Sequence, residues 1–283
     1  MCRLYALRAS EPLKVECALV HAQNALLTQS RRDSRGETHA DGWGIAHYLH
    51  ERPTVEKRAV AAFGDVSFSD TAARVRARTV VAHVRQATVG GPSLPNTHPF
   101  VHGPWTFAHN GGIRDFARLG ASLESEVAAQ LLGWRRGTTD SELAFYWLLT
   151  RMAGAGLENE APCADLDALV RVVGQGIREL NERADGTPHG GPDAGEPSRL
   201  NFVLTDGTVL VASRWGHTLY WTERDAPHIC EVCGLAHVDR PVPPGYRAVI
   251  IASEPLSSER WSEVPDRSVI SVDASMRVRI TES

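Results

Sequence analysis

The second residue of the chain is a cysteine, and its position could give it two functional groups. If Met1 is removed, which a small second side chain permits, Cys2 carries both a thiol and a free α-amine. Their reference pKa values are about 8.5 and about 8. A thiolate is a strong nucleophile, and an amine that titrates near neutrality can serve as a general base. Activation of a nucleophile by the chain's own terminal amine is a general catalytic solution. The simpler reading is that Cys2 is a small buried hydrophobe.

Several other stretches carry groups that such a nucleophile would need. Asn110-Gly111 places a side-chain amide beside an unobstructed glycine N–H, the pair of donors that acyl transfer uses to hold a developing oxyanion. The same dipeptide is also a common turn. Arg85 ends the apolar run Thr79-Val80-Val81-Ala82-His83-Val84, and a charge there requires a partner. In Thr139-Asp140-Ser141-Glu142, Thr139 or Asp140 could cap a helix, and Asp140 could instead present its carboxylate to a ligand amine. Asp41-Gly42-Trp43-Gly44 reads as a tight turn feeding a strand. Separately, His228, Cys230, Cys233 and His237 have zinc-ligand spacing in one compact loop. A loop with two reduced cysteines and a redox pair are the other readings of that stretch.

The elements that must position these residues are legible in outline. Residues 1–9 alternate, with Cys2, Leu4 and Ala6 on one face and Arg3, Tyr5 and Leu7 on the other, and Glu11-Pro12 is expected to end the strand. A strand would hold a catalytic terminus rigidly. Residues 15–29 follow a helical period, and 30–40 form a polar loop. Residues 79–85 and 105–109 read as buried strands. Helices are expected at 122–134, from about 141 through 149, and at 166–181. Residues 184–199 are a Gly/Pro-rich loop. Residues 200–205 and 208–213, joined at Asp206-Gly207, predict a hairpin. Further strands are expected at 217–221, 246–252, 269–272 and 276–280.

Composition narrows the function classes. The chain has 283 residues, 42% hydrophobic and 23% charged, which is ordinary for a globular protein. Lys+Arg 30 against Asp+Glu 34 gives a net charge of -4, so no basic excess points to nucleic acid. Arg3 and Arg8 interrupt the apolar start, leaving no secretory h-region, and no stretch approaches the roughly 18 apolar residues of a membrane helix. A cytoplasmic location with reduced cysteines is the expectation.

The ordered set Cys2, Asp41-Gly42-Trp43-Gly44, Arg85-Gln86-Ala87-Thr88, His98-Pro99, His109-Asn110-Gly111, Thr139-Asp140-Ser141-Glu142 and Ser253-Glu254-Pro255-Leu256 resembles the class II glutamine amidotransferases, the glutaminase branch of the N-terminal-nucleophile (Ntn) hydrolases. The layout looks closest to compact stand-alone members, including γ-glutamyl hydrolases of the ergothioneine-pathway type. The resemblance implies an α+β fold, a four-layer α/β/β/α sandwich, with 2–283 as one domain. It implies Cys2 as nucleophile with its amine as base, and Asn110 and Gly111 as the oxyanion hole. Arg85 would grip the α-carboxylate and Asp140 the α-amine of a glutamine-like substrate, with Thr88 lining the pocket and His98 in a supporting position. Where the family often continues Ala-Thr-His, this chain has Ala87-Thr88-Val89. No cofactor and no catalytic metal are expected. Three functions follow as expectations. The first is hydrolysis of a γ-glutamyl amide through a thioester, with a small-molecule substrate. The second is a glutaminase subunit delivering ammonia to a separate synthetase. The third is a non-catalytic interaction scaffold.

Overall fold

Alternation at the start of the chain sets the architecture. The computed structural model describes residues 2–185, 197–239 and 241–283. Its strands are β1 (Arg3–Lys14), β2 (Trp43–Tyr48), β3 (Pro53–Arg58), β4 (Arg76–Val84), β5 (Phe100–His102), β6 (Trp105–Gly112), β7 (Arg199–Thr205), β8 (Leu210–Arg214), β9 (Tyr220–Arg224), β10 (Ala248–Ala252), β11 (Ser262–Glu263), β12 (Ser268–Val272) and β13 (Val278–Glu282). Its α-helices are α1 (Leu26–Arg31), α2 (Val66–Arg74), α3 (Phe116–Ser125), α4 (Ala129–Leu132), α5 (Asp140–Gly154) and α6 (Leu166–Asp185).

The strands form two antiparallel sheets. One runs β11-β9-β10-β1-β4-β2-β3 and the other β13-β12-β8-β7-β6-β5. Leu4 and Ala6 point between the sheets and pack with Val81, Ala108, Val203 and Ile251. Tyr5 and Leu7 point outward and pack with Leu26, Trp43 and Phe68 under α1 and α2. On the far side of the second sheet, Phe107, Phe202 and Leu204 pack against Phe145, Trp147 and Leu148 of α5 and Leu169, Val173 and Ile177 of α6. These three apolar layers separate four structural layers, the expected α/β/β/α sandwich. Burying each such side chain contributes roughly 1.5–3 kcal/mol before entropy is counted.

Several elements differ from the sequence reading. Pro12 does not end β1: the strand continues to Lys14, and its pairing with β4 shifts register between Arg8 and Leu13. A bulge of this kind tolerates the missing proline N–H. Residues 15–29 break into a single π turn at Cys17–His21 and the short α1. The helix expected at 122–134 is instead α3 and α4, because Leu119 and Leu123, and then Leu131, are the residues that reach the core. Strand β3 and helix α2 were not anticipated. The Gly/Pro-rich segment at 184–199 lies largely outside the described residues. The hairpin at Asp206-Gly207 forms as expected, with Gly207 at φ 89°.

Candidate active site

The Arg3 side chain fastens the start of β1. It is buried, and it lies between two carboxylates: its Nε donates to Glu254 Oε1 at 3.0 Å, and its Nη2 pairs with Asp33. Its Nη1 donates to the Cys2 carbonyl at 3.0 Å. Asp33 is itself fixed by the backbone N–H groups of Arg35 and Glu37 and by His39 at 3.0 Å. Glu254 also accepts from the Ser34 hydroxyl and from Asn24. The backbone at residue 2 is therefore held by a charge network that reaches into the 30–40 loop. Hydrogen bonds to charged groups contribute about 1.5–3 kcal/mol each, and losing one partner of a buried pair costs more.

Cys2 is buried, and its Sγ donates to the Gln86 carbonyl at 3.5 Å. Burial raises the thiol above its ordinary range, opposed by the positive charge of Arg85 and reinforced by the carboxylate of Asp140. The resting sulfur is thus a thiol, and its attack on a carbonyl would need a proton acceptor.

Asn110 sits near the end of β6 and is almost fully buried. Its Nδ2 donates to Ser253 Oγ at 3.2 Å, and the same oxygen accepts the Leu4 N–H at 3.0 Å. Ser253 thereby ties Asn110 to the strand that begins one residue after Cys2. Asn110-Gly111 is not a turn; both residues lie within β6, paired with Asn201 and Leu200 of β7. Gly111 is confined there. A Cβ at this position would lie 1.8 Å from the Arg199 carbonyl oxygen, at a backbone φ of 154°. Gly44 is a second close approach, since its Cβ would lie 2.2 Å from the His98 carbonyl oxygen.

Arg85 follows β4, and its backbone is locked to the Asp41-Gly42 turn. The Asp41 N–H donates to the Arg85 carbonyl at 2.9 Å, and the Arg85 N–H to the Gly42 carbonyl at 2.8 Å. Asp41 Oδ2 accepts the Ala87 N–H at 2.7 Å. The Arg85 guanidinium donates to the carbonyls of Val89, Gly90 and Gly91 at 2.8–3.2 Å. Among the described residues its partners are carbonyls, which leave its charge without a counter-ion. The 89–91 loop therefore wraps the guanidinium, and Asn96 latches that loop to the start of α5 by bonding Gly91 and Thr138.

Thr139 caps α5, its Oγ1 accepting the Glu142 N–H at 3.1 Å. That leaves Asp140 as the first helical residue. Its Oδ2 accepts the Ile113 N–H at 2.8 Å and its Oδ1 the Ser141 N–H at 2.8 Å. No cation is paired with it among the described residues. A Cβ built on Gly112 would lie 3.5 Å from Asp140 Oδ2 and 3.9 Å from Thr88 Oγ1, so Thr88 and Asp140 look onto the same stretch of β6. Thr88 is exposed while Gly111 and Gly112 are half-buried, which opens this end of the sandwich to solvent.

Histidines back the site. His98 is buried and stacks on His83 with ring centroids 4.2 Å apart, so it supports the strands from within. His83 donates to, or accepts from, its surroundings through Nε2, which lies 3.1 Å from the His109 carbonyl; that carbonyl fixes it as the donor. His109 Nδ1 lies 2.9 Å from Ser141 Oγ. Burial drives His83 down to about 3 and His98 well below its usual range, so both rings are neutral. The buried Arg3, Asp33 and Glu254 network escaped the sequence reading. Its visible signals were the charged residue immediately after Cys2 and the Ser253-Glu254 motif, with nothing in the sequence to join them.

Comparison with known proteins identifies the family. The family model described as glutamine amidotransferases class-II matches residues 1–282. The chain is 30% identical over 300 residues to the probable glutamine amidotransferase DUG3 of Saccharomyces cerevisiae, covering 96% of this chain and 82% of that protein. It is also 30% identical over 278 residues to the gamma-glutamyl-hercynylcysteine sulfoxide hydrolase of Mycolicibacterium smegmatis, covering 96% of each. A class-II glutamine aminotransferase domain protein from Silicibacter pomeroyi shares the fold, with a TM-score of 0.61 at 19% identity over 99% of both chains.

Proposed function

The chain belongs to the class II glutamine amidotransferases, and from that premise we propose that it hydrolyses a γ-glutamyl amide bond through a thioester on Cys2. We read residues 2–283 as one such unit with Met1 removed. The observation that carries the reading is the convergence at one end of the sandwich of the Cys2 thiol, the Asn110 amide tied through Ser253 to the Leu4 N–H, and two oppositely charged groups without ionic partners among the described residues, Arg85 and Asp140.

The chemistry follows from those groups. The substrate is a small molecule with a free amino-acid end. Its α-carboxylate meets Arg85, whose guanidinium can bind a carboxylate in two parallel hydrogen bonds. Its α-ammonium meets Asp140. Fixing both ends presents the γ-carbonyl to Cys2. The terminal amine takes the thiol proton as sulfur attacks, and the Asn110 side chain and Gly111 N–H hold the oxyanion. The amine returns the proton to the leaving amine. Water then attacks the thioester, and glutamate departs. A buried thiol needs such an acceptor because burial disfavours its anion.

The relatives bear on the leaving group. One is described as a hydrolase of a γ-glutamyl sulfoxide and another as a glutamine amidotransferase. Transfer of the γ-glutamyl group to water, with release of the free amine, is the reading we favour, because the site's charged groups match the glutamyl half and the chain resembles a γ-glutamyl hydrolase over 96% of its length. Glutamate release from a panel of γ-glutamyl amides, with and without a candidate ammonia-consuming synthetase, tests it. Turnover by the chain alone supports a hydrolase. Turnover that needs the synthetase supports ammonia delivery. Absence of turnover in both arms, with Cys2→Ala unchanged in every assay, contradicts an enzyme.

A further inference from the structure

Beyond the far end of β1 from Cys2, the structure gathers sulfur and nitrogen that the proposed reaction does not use. Cys17 lies in the π turn that follows β1. Cys230, Cys233 and His237 lie in the connection between β9 and β10. The four ligand atoms of these residues all lie within 4.8 Å of one another. His228, included by spacing alone, is not in the group; its Nδ1 faces Glu259 at 3.3 Å. The fourth position comes instead from Cys17, more than two hundred residues away in sequence.

The connection is built as a metal-binding turn. The Gly234 N–H donates to the Cys230 carbonyl at 2.9 Å, and the Cys230 N–H to the Leu235 carbonyl at 3.0 Å. The Val232 N–H donates to Cys230 Sγ at 3.4 Å. Gly234 takes φ 69°, the left-handed conformation that closes the turn. Cys233 Sγ and His237 Nε2 are 3.3 Å apart. Two ligands at about 2.3 Å and about 2.05 Å from one tetrahedral zinc would be about 3.5 Å apart.

The turn that carries the two cysteines, at 229–235, is the part of the connection whose large apolar residues face solvent. Ile229, Val232 and Leu235 are 52%, 46% and 66% exposed, whereas Val238 and Tyr246 of the same connection are buried in the core. The connection is tied to the body by the bridge of Val238 to Leu13 and the Lys14 N–H bond to the His237 carbonyl, and by contacts of His228 with Glu259, Glu231 with Ser258, and Asp239 with Arg76. An irregular connection this long is uncommon in a compact domain and usually has a function of its own. All five cysteines are free thiols in the structure.

We propose that Cys17, Cys230, Cys233 and His237 form a structural zinc site that ties the β9–β10 connection to the end of β1. Three thiolates and a neutral imidazole satisfy the preference of zinc for sulfur and nitrogen in a closed tetrahedron. Binding displaces the three thiol protons to solvent and leaves the metal centre with a net charge of about -1. With all four positions filled by protein, no site remains for water, so the role is structural.

Metal analysis of the full chain, purified without chelator and again after zinc reconstitution, tests the proposal. About one zinc per chain is expected. Cys17→Ser and Cys233→Ser should each lose it, and His228→Asn should keep it. Cobalt substitution should give thiolate-to-metal charge-transfer bands and the d–d bands of a tetrahedral centre. Chelation should lower the melting temperature of the wild type and leave that of Cys233→Ser unchanged; Cys233 is exposed, so this variant keeps the packing. Absence of zinc after reconstitution would overturn the proposal. So would a zinc site that survives Cys17→Ser but not His228→Asn, or bound cobalt with an octahedral, oxygen-ligand spectrum.

Discussion

Replacing Gly111 with alanine tests whether the end of β6 lies at the reacting centre. The new Cβ would stand 1.8 Å from the Arg199 carbonyl oxygen and 2.9 Å from His109 Nε2, whereas ordinary contact begins at 3.4 Å. The first neighbour is backbone, so a side-chain rotation cannot relieve the clash, and β6 must shift against β7. A shift of about 1 Å at a reacting centre can cost about 10²-fold in rate, and loss of one oxyanion donor about 10²–10³-fold. We therefore expect kcat/KM for a γ-glutamyl amide to fall about 10²–10³-fold, or about 2.7–4 kcal/mol. Overpacking should also lower stability by about 1–3 kcal/mol, visible as a lower melting temperature. The assay is glutamate release at substrate concentrations well below KM, alongside thermal unfolding and the extent of Cys2 alkylation. A folded Gly111→Ala protein with kcat/KM within about threefold of wild type would refute the reasoning. Should that variant not fold, Asn110→Ala removes the other donor without a clash, and the same drop in kcat/KM is expected.

Two further outcomes follow from the same geometry. Arg85→Lys replaces a fork that serves three loop carbonyls with a single ammonium, so KM for the substrate should rise about 10–100-fold with a smaller change in kcat; an unchanged KM in steady-state kinetics would remove Arg85 from substrate binding. Acid should destabilise the fold through its buried histidines. His39 is lowered to about 4, and His83 and His217 to about 3, chiefly by burial. A folded pKa below the unfolded value means that the unfolded chain binds more protons. The stability these rings contribute is therefore complete above about pH 6.5 and is lost as pH falls toward 4 and then 3. At pH 5 the loss is at most about 2 kcal/mol per ring, and urea titrations at pH 7 and pH 5 should show it; equal midpoints would contradict neutral burial of these groups.

How much of this was legible in the sequence depends on which force fixes each feature. Alternation at residues 2–7 placed Leu4 and Ala6 on the inner face and Tyr5 and Leu7 on the outer, because burial on both sides of a central strand leaves no other register. The cap at Thr139 was legible because it is local chemistry. The order of the motifs carried the family and the fold. Tertiary pairing stayed hidden. Asn110-Gly111 has the local signature of a turn and lies in a strand, because β7 supplies partners from about ninety residues away. Pro12 has the signature of a strand end and is absorbed by a bulge. The Arg3 network and the Cys17 ligand position join residues far apart in the chain, so no spacing rule could anticipate them. Strand β3 alternates half-buried and exposed positions at a sheet edge and has Val55 as its one aliphatic residue besides Pro53, so its hydrophobic pattern is weak.

The central claim is that Cys2, as the first residue of the chain, is the nucleophile. Intact-mass analysis and peptide mapping after incubation with an electrophilic ketone analogue of glutamine test it most directly. The prediction is a chain lacking Met1 that gains a single adduct on Cys2, with loss of glutamate release in proportion to labelling. Full activity in protein that retains Met1, or an adduct on Cys17, Cys163, Cys230 or Cys233 in place of Cys2, would contradict it.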